Sequence, residues 1–243
     1  MREILGRRRR LRRRARPAQL DAVLICATAW QWPVLPGVGP AAARSGGGRD
    51  RGCACPDPDC AVPGAHPFDP GLLAATTDER MVRWWWTNRP TAPIVLATGG
   101  RAPCALSLPA VAAARALAEL DRMRVRLGPV VATPTRWSLL VAPYTLERLG
   151  ELLHAQDHVP SSLRFHGEGG YLVLPPSGTG TGQVRWERPP APEPAPVLHG
   201  RERGRASAAD AASAPWLPDV EVLLDALVEA SNAAPDGGSR LAY

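Results

Sequence analysis

The sequence predicts an α+β fold with a largely antiparallel sheet and flanking helices. Helix-like and strand-like segments are mixed along the chain, but they do not alternate strictly as the units of a parallel sheet would. Short apolar runs are joined by turns that contain Gly or Pro, which is typical of antiparallel neighbours. A chain of 243 residues is long enough for one fair-sized domain with extensions.

Apolar residues at helical spacing predict the first helix, and a capping-box signature predicts the second. Thr76, with Glu79 three residues later, is that signature, and Pro90 ends the segment. The predicted elements before residue 90 are a helix at 19–31, a short strand at 33–36, a loop at 37–75 and a helix at 77–87.

The second helix carries three consecutive tryptophans, Trp84, Trp85 and Trp86. Successive helical residues lie 100° apart, so all three cannot face one core. One or two of the rings must point elsewhere, either to a groove or against the proline-rich loop.

The rest of the chain predicts a set of short strands and three further helices. The last helix is amphipathic, with Leu223, Leu224 and Leu227 on one face, so it docks back on the domain or serves a partner. In chain order the segments are strands in "APIVLATGG" and "CALSL", a helix at 109–123, strands in "GPVVATP" and "RWSLLVAP", a helix in "YTLERLGELLHAQ", strands in "SLRF", "GYLVLPP" and "QVRWE", and a helix in "PWLPDVEVLLDALVEA".

The net charge of +6 is concentrated at the N-terminus. Residues 1–16 carry nine Arg and one Glu, and the remaining chain has a net charge of −2. The run is either a solvated extension or a contact for nucleic acid or an anionic membrane. The predicted division is an Arg-rich tail at 1–18, a domain at 19–190 with a Cys/His loop at 49–70, a linker at 191–214, a helix at 215–231 and a tail at 232–243.

We expect a cytoplasmic protein without a transmembrane segment. Asp21 borders the short apolar run at 22–29, and no convincing cleavage site follows it, so a signal peptide is not favoured. No apolar run approaches the roughly 18 residues that a membrane span needs. The cysteines should therefore be reduced.

The Cys/His loop contains a candidate metal site in the order C-x-C-x4-C-x5-H. Cys53, Cys55, Cys60 and His66 form a chemically reasonable tetrahedral zinc set. The loop is rich in turn-forming residues, and a structural zinc ion would act as its core. Free thiols in a mobile loop, or a Cys53–Cys60 disulfide if the chain is secreted, are the alternatives.

Three segments together resemble the bifunctional DNA primase/polymerase N-terminal (prim-pol) family of the archaeo-eukaryotic primase superfamily. They are "ATAWQWPVLPGVG", "ATTDERMVRWWWTNRPTAPIVLATG" and "SLRFHGEGGYLVLPPSGTGTGQVRW", in the family's order and spacing over about 19–190. The likeness is closest to small stand-alone actinobacterial members. It implies an RRM-like sheet with flanking helices, one sheet face open to nucleic acid, and DNA primase/polymerase activity that depends on carboxylate-bound metal ions.

The family's catalytic positions are occupied here by other residue types. By resemblance, the first acidic motif falls at Cys104 and Ser107, the histidine at Trp137 or Ser138, and the third acid at Ser162. Magnesium needs hard oxygen ligands, usually carboxylates, so no catalytic Mg²⁺ is expected. We interpret the chain as a prim-pol-like domain that has lost this chemistry.

Binding of DNA or nucleotide remains the favoured function, with the Arg-rich tail as a further nucleic-acid contact. Three arginines on predicted strands, Arg136, Arg164 and Arg185, are either ligand contacts or part of a solvated sheet face. The glycines of "GEGG" form either a turn alone or a turn that also presents N–H groups to a phosphate. An active polymerase with displaced acids and a protein-interaction module are alternative functions. The candidate binding residues are Arg136, Arg164, Gly167, Gly169, Gly170, Ser177 and Arg185.

Overall fold

The structure is a computed structural model, and it describes residues 18–41, 52–192 and 214–233. Nearly all of the predicted Arg-rich tail, linker and C-terminal tail therefore lies outside the described residues. The described parts form two antiparallel sheets and five α-helices, which confirms the α+β prediction.

The smaller sheet has three strands in the order β1-β2-β7, and every neighbouring pair is antiparallel. Helices α1 and α2 bury their apolar faces in the same core as this sheet. Helix α1 continues as one π-helical segment at Ile25–Ala29. The elements of this unit are α1 (Ala18–Leu24), β1 (Val34–Pro36), α2 (Glu79–Asn88), β2 (Ile94–Ala97) and β7 (Tyr171–Leu174).

The larger sheet has six strands in the order β6-β3-β5-β4-β9-β8, again antiparallel throughout. Three helices accompany it: α3 directly follows β3, α4 follows β5, and α5 follows the segment outside the described residues. Its elements are β3 (Cys104–Pro109), α3 (Ala110–Arg122), β4 (Val130–Ala132), β5 (Arg136–Val141), α4 (Leu146–His154), β6 (Arg164–His166), β8 (Ser177–Thr179), β9 (Gly182–Arg188) and α5 (Val220–Asn232).

The larger sheet separates two hydrophobic cores because successive side chains of a strand point to opposite faces. Ala105 and Leu140 pack in the core that contains the smaller sheet. Leu106 and Leu139, one position along, pack in a second core with α3, α4 and α5. Strands β3, β4 and β5 therefore each have one row of side chains turned toward the smaller sheet and one turned toward the helices.

Helix α2 begins later than its predicted capping box. Asp78 is the N-cap, and its side chain accepts a hydrogen bond from the Met81 N–H at 2.8 Å. The Thr76 hydroxyl instead accepts from the Asp78 N–H at 3.0 Å, two residues too early to cap the helix. The Thr76–Glu79 capping box was therefore wrong, since Asp78 supplies the same chemistry closer to the first turn.

The tryptophans of α2 divide between core and surface, as the helical period requires. Trp85 and Trp86 are buried, and the Trp86 indole donates to the Ala92 carbonyl at 3.1 Å. The Trp84 ring, by contrast, is 60% exposed.

Helix α5 docks on the domain and completes the second core. Leu223, Leu224 and Leu227 are buried there beside residues of α3. Polar contacts fix the approach: Arg148 of α4 pairs with Glu221 at 2.6 Å, and the Arg126 guanidinium lies 3.8 Å from the centre of the Trp216 ring. The amphipathic face found in the sequence is thus used inside the chain.

We expect Leu227→Ala to lower the free energy of unfolding by about 2–5 kcal/mol, because it opens a cavity in a fully buried position. Val222→Ala, on the exposed face of the same helix, should change it by no more than about 0.5 kcal/mol. Chemical denaturation of both variants measures the difference. Equal, small effects would show that α5 is not docked in solution.

Candidate functional site

Polar side chains form one row across the centre of the larger sheet. Ser107 of β3 stands opposite Ser138 of β5 and opposite Arg164 of β6, so all three project from the same face. His166 and Arg136 lie two residues along their strands from Arg164 and Ser138, and they share that face. We call these five residues the arginine face.

A serine and a histidine are joined at the middle of the arginine face. The Ser107 Oγ lies 2.9 Å from His166 Nε2, and Ser107 is almost fully buried. Burial lowers the pKa of His166 to about 4, and the charges of Arg136 and Arg164 add to this shift, against a raising hydrogen bond with the Tyr171 backbone. The imidazole is therefore neutral at pH 7, and its Nε2 shares a hydrogen bond with the Ser107 hydroxyl.

The Arg136 guanidinium anchors the arginine face to the backbone. One Nη2 donates to the carbonyl oxygens of Ser107 and Ser162, each at 2.7 Å. The Nε atom is buried without a hydrogen-bond partner. Burial, and after it the neighbouring charge of Arg164, lower the pKa of Arg136 to about 10. Arg136 remains a cation at neutral pH, held close to a second cation.

The Cys/His loop brings its four predicted metal ligands together. The ligand atoms of Cys53, Cys55, Cys60 and His66 all lie within 4.8 Å of one another. His66 Nε2 is 3.2 Å from the Cys53 sulfur and 3.4 Å from the Cys60 sulfur. A tetrahedral zinc site has neighbouring sulfur and nitrogen ligands roughly 3.5 Å apart, so the arrangement fits a metal ion.

Contacts around the cluster support the same use. His66 Nδ1 lies 2.9 Å from the Pro67 carbonyl oxygen, which orients Nε2 toward the sulfurs, as in many metal-bound histidines. Burial raises the pKa of Cys53, but hydrogen bonds from the Gly64 and Cys55 backbone outweigh it and lower the pKa to about 6. None of the chain's five cysteines forms a disulfide, so the Cys53–Cys60 alternative is not realised. The Cys₃His cluster can hold a metal ion.

The family model for bifunctional DNA primase/polymerase, N-terminal (Prim-Pol), matches residues 24–197. The chain belongs to this family. No curated protein and no solved structure matches it.

The Prim-Pol catalytic positions inferred from the sequence fall on both sides of the larger sheet. Ser107 lies on the arginine face, and Ser162 contributes its carbonyl oxygen to Arg136. Cys104 and Trp137 project into or beside the second core, on the opposite face. Burial raises the pKa of the Cys104 thiol. Only two of the four positions therefore adjoin the cluster of polar side chains.

The predicted binding residues are likewise brought together only in part. Arg136 and Arg164 lie on the arginine face, whereas Arg185 pairs with Ala132 on the opposite face and contacts Glu187. The Ser177 hydroxyl is buried, donates to the Leu174 carbonyl at 2.5 Å and accepts from the Ile94 N–H at 2.9 Å. Its visible contacts therefore join β8 to the smaller sheet.

The three predicted glycines form the turn that follows β6. Gly169 has a positive φ of 78° in open space. A Cβ at Gly170 would approach the Thr98 hydroxyl to 2.8 Å, and one at Gly167 would contact the Tyr144 ring. Turn geometry and close packing account for the three glycines, and their predicted phosphate contact stays a prediction.

His166 is the residue that the sequence interpretation missed. The sequence motifs do not single it out, yet it occupies the centre of the arginine face. Its position two residues after Arg164 on a short strand was a usable signal, since such residues share a face.

Among the described residues, every helix is too short or too polar to span a membrane.

The low pKa of His166 gives a prediction about stability and pH. An unfolded histidine titrates near 6.5 and the folded one near 4, so the neutral folded form is favoured above pH 6.5. Its contribution should decline as the pH falls from about 6.5 to about 4. The side chain of His166→Gln cannot titrate there, so the free energy of unfolding of this variant should fall by about 2 kcal/mol less than that of wild type over this range. Parallel unfolding curves at both pH values would contradict this assignment.

Proposed function

We propose that this Prim-Pol domain binds DNA or nucleotide on the arginine face without transferring nucleotides. The observation that carries the proposal is the charge of this face. Arg164 lies close enough to lower the pKa of Arg136, and both charges lower the pKa of His166. Strands β3, β5 and β6 contain no carboxylate. Two cations on strands that supply no carboxylate of their own favour an anionic ligand.

A phosphate matches the donors on the arginine face. The Arg164 side chain is exposed and makes no hydrogen bond or ion pair among the described residues, so its guanidinium is free for two parallel bonds to a phosphate. Arg136 is already held by two carbonyls, and its role is to supply fixed positive charge. Neutral His166 and Ser107 add polar groups without adding negative charge.

The same residues argue against metal-dependent nucleotidyl transfer. Two-metal catalysis requires carboxylates that hold both ions against the attacking and leaving oxygens. Serine hydroxyls and a neutral imidazole next to two arginines provide neither the charge nor the oxygen ligands that Mg²⁺ prefers. A divalent cation would be repelled by Arg136 and Arg164, so the family's chemistry is replaced by binding.

We further propose that the metal of the Cys₃His cluster is zinc and that its role is structural. Three thiolates and one imidazole form a closed tetrahedral set, with no fourth position left for water or substrate. The arginine-rich residues 1–16, which lie outside the described part of the chain, are proposed as a second, sequence-independent contact to nucleic acid.

The proposed function predicts that Arg164→Gln weakens binding of a nucleoside triphosphate and of a short single DNA strand by about tenfold. Both ligands are titrated by calorimetry into the full chain, in buffer without added divalent cation. The mononucleotide arm reports the arginine face with little contribution from residues 1–16. The two arms also distinguish nucleotide from DNA as the source of the phosphate.

Arg185→Gln is the matched control, because Arg185 is an exposed arginine on the opposite face. It should leave both affinities unchanged. Primer extension with Mg²⁺ or Mn²⁺ should yield no product at high protein concentration. Extended primer, or equal losses in the two arginine variants, would contradict binding without turnover on this face.

For the zinc proposal, purified full-length protein should contain about one zinc per chain by mass spectrometry. His66→Gln should reduce this content and destabilise the Cys/His loop, because the metal acts as its core. His154→Gln, at an exposed histidine on α4, should leave it unchanged. A wild-type zinc content near zero rejects the assignment.

A further inference from the structure

A cavity adjoins the Cys/His cluster, and it is separate from the arginine face. It has a volume of about 390 Å³, within the range of small-ligand pockets. Its walls come from the Cys/His loop and from Tyr171, the first residue of β7. Phe68 and Val62 also line it, and their side chains are 56% and 39% exposed.

The chemistry of this cavity suits a flat, uncharged ring. Phe68 and Tyr171 offer aromatic faces, and rings of this kind stack on nucleobases irrespective of base sequence. The remaining wall includes Pro56 and Pro67, which are apolar and conformationally restricted. An exposed phenylalanine within a concave wall leaves apolar area that a stacked ring would remove from water.

One charged group at the cavity narrows the choice of ligand. Asp57 lines it, and one of its carboxylate oxygens accepts a hydrogen bond from the Asp59 N–H at 2.9 Å. An exposed carboxylate repels a phosphate but accepts hydrogen bonds from the ring N–H and amino groups of a base. The cavity is therefore matched to the base portion of a nucleotide and mismatched to its phosphate.

The cavity is connected to the arginine face by a short piece of backbone. His166 hydrogen bonds with the Tyr171 backbone, while Tyr171 itself lines the cavity. The turn between them is compact, because the Gly170 N–H donates to the Gly167 carbonyl at 3.1 Å. A phosphate-binding surface and an aromatic cavity thus lie at the two ends of one tight turn.

We propose that this cavity holds a nucleobase, stacked on Phe68, of the DNA or nucleotide whose phosphate lies on the arginine face. The phosphate contact in this proposal rests on the proposed function, which places the phosphate on the arginine face. It adds a base-binding pocket formed by the Cys/His loop, which gives that loop a ligand-binding role beyond holding a metal.

The test compares Phe68→Ala with wild type on two single DNA strands of equal length. One strand carries normal bases, and the other is abasic throughout, so it keeps the phosphates but has no rings to stack. Removing one aromatic side chain that stacks on a base typically lowers the affinity by about tenfold or more. Phe68→Ala should weaken the normal strand by that factor and leave the abasic strand unchanged, as measured by fluorescence anisotropy.

Two further variants separate stacking from other effects. Phe68→Leu keeps an apolar side chain but loses the ring, so it should behave like Phe68→Ala. Trp84→Ala removes an exposed aromatic ring outside the cavity and should change neither affinity. Metal content serves as the check that each variant keeps its Cys/His loop intact.

Each outcome bears on a different proposal. No loss with Phe68→Ala, or equal losses on both strands, overturns the base pocket and leaves the arginine face standing. Arg164→Gln should weaken both strands equally. If it weakens neither while the Phe68 effect depends on the bases, the pocket stands and the arginine face is wrong. Wild-type protein that binds neither strand nor a mononucleotide overturns both.

Discussion

The Arg136 guanidinium joins three parts of the larger sheet at the point where its polar row begins. Arg136 projects from β5, and the same nitrogen donates to the Ser107 carbonyl on β3 and to the Ser162 carbonyl ahead of β6. Arg136 is half-buried, so losing these partners would leave a partly desolvated guanidinium without hydrogen bonds, which is costly. These bonds therefore restrict how β5, β3 and the entry to β6 can move, and they hold the arginine face in one arrangement.

This constraint also determines the protonation states nearby. A fixed positive charge beside a largely buried imidazole favours the neutral form, and Arg164 acts in the same direction. Neutral His166 then shares a hydrogen bond with the Ser107 hydroxyl. A carboxylate would be the usual way to balance two arginines, but the three strands supply none. An incoming phosphate would balance the charge, so the arrangement that disfavours a catalytic metal favours an anion.

Local sequence patterns predicted the helices, most strands and the metal ligands, but they could not predict which residues face each other across neighbouring strands. The spacing of Cys53, Cys55, Cys60 and His66 lies within one loop, so the sequence contained the whole signal. The central role of His166 depends on the register of β6 against β3, which one sequence does not encode visibly. Strand β8, with the sequence Ser-Gly-Thr, has no apolar alternation to detect. Arg136 and Arg185 lie on opposite faces of the larger sheet, and only the register of their strands against the neighbouring strands reveals this.

The turn after β6 links the two proposed ligand-binding regions through packing. A Cβ at Gly99 would lie 2.4 Å from the Glu168 Cα, and the Thr98 hydroxyl donates to the Gly167 carbonyl at 2.6 Å. The turn is therefore pressed onto the loop that leads from β2 into β3. His166 precedes this turn and Tyr171 follows it, so its rigidity fixes the position of the arginine face relative to the cavity of Phe68. A nucleotide that spans both regions would meet a preorganised surface, and little binding energy would be spent on ordering it.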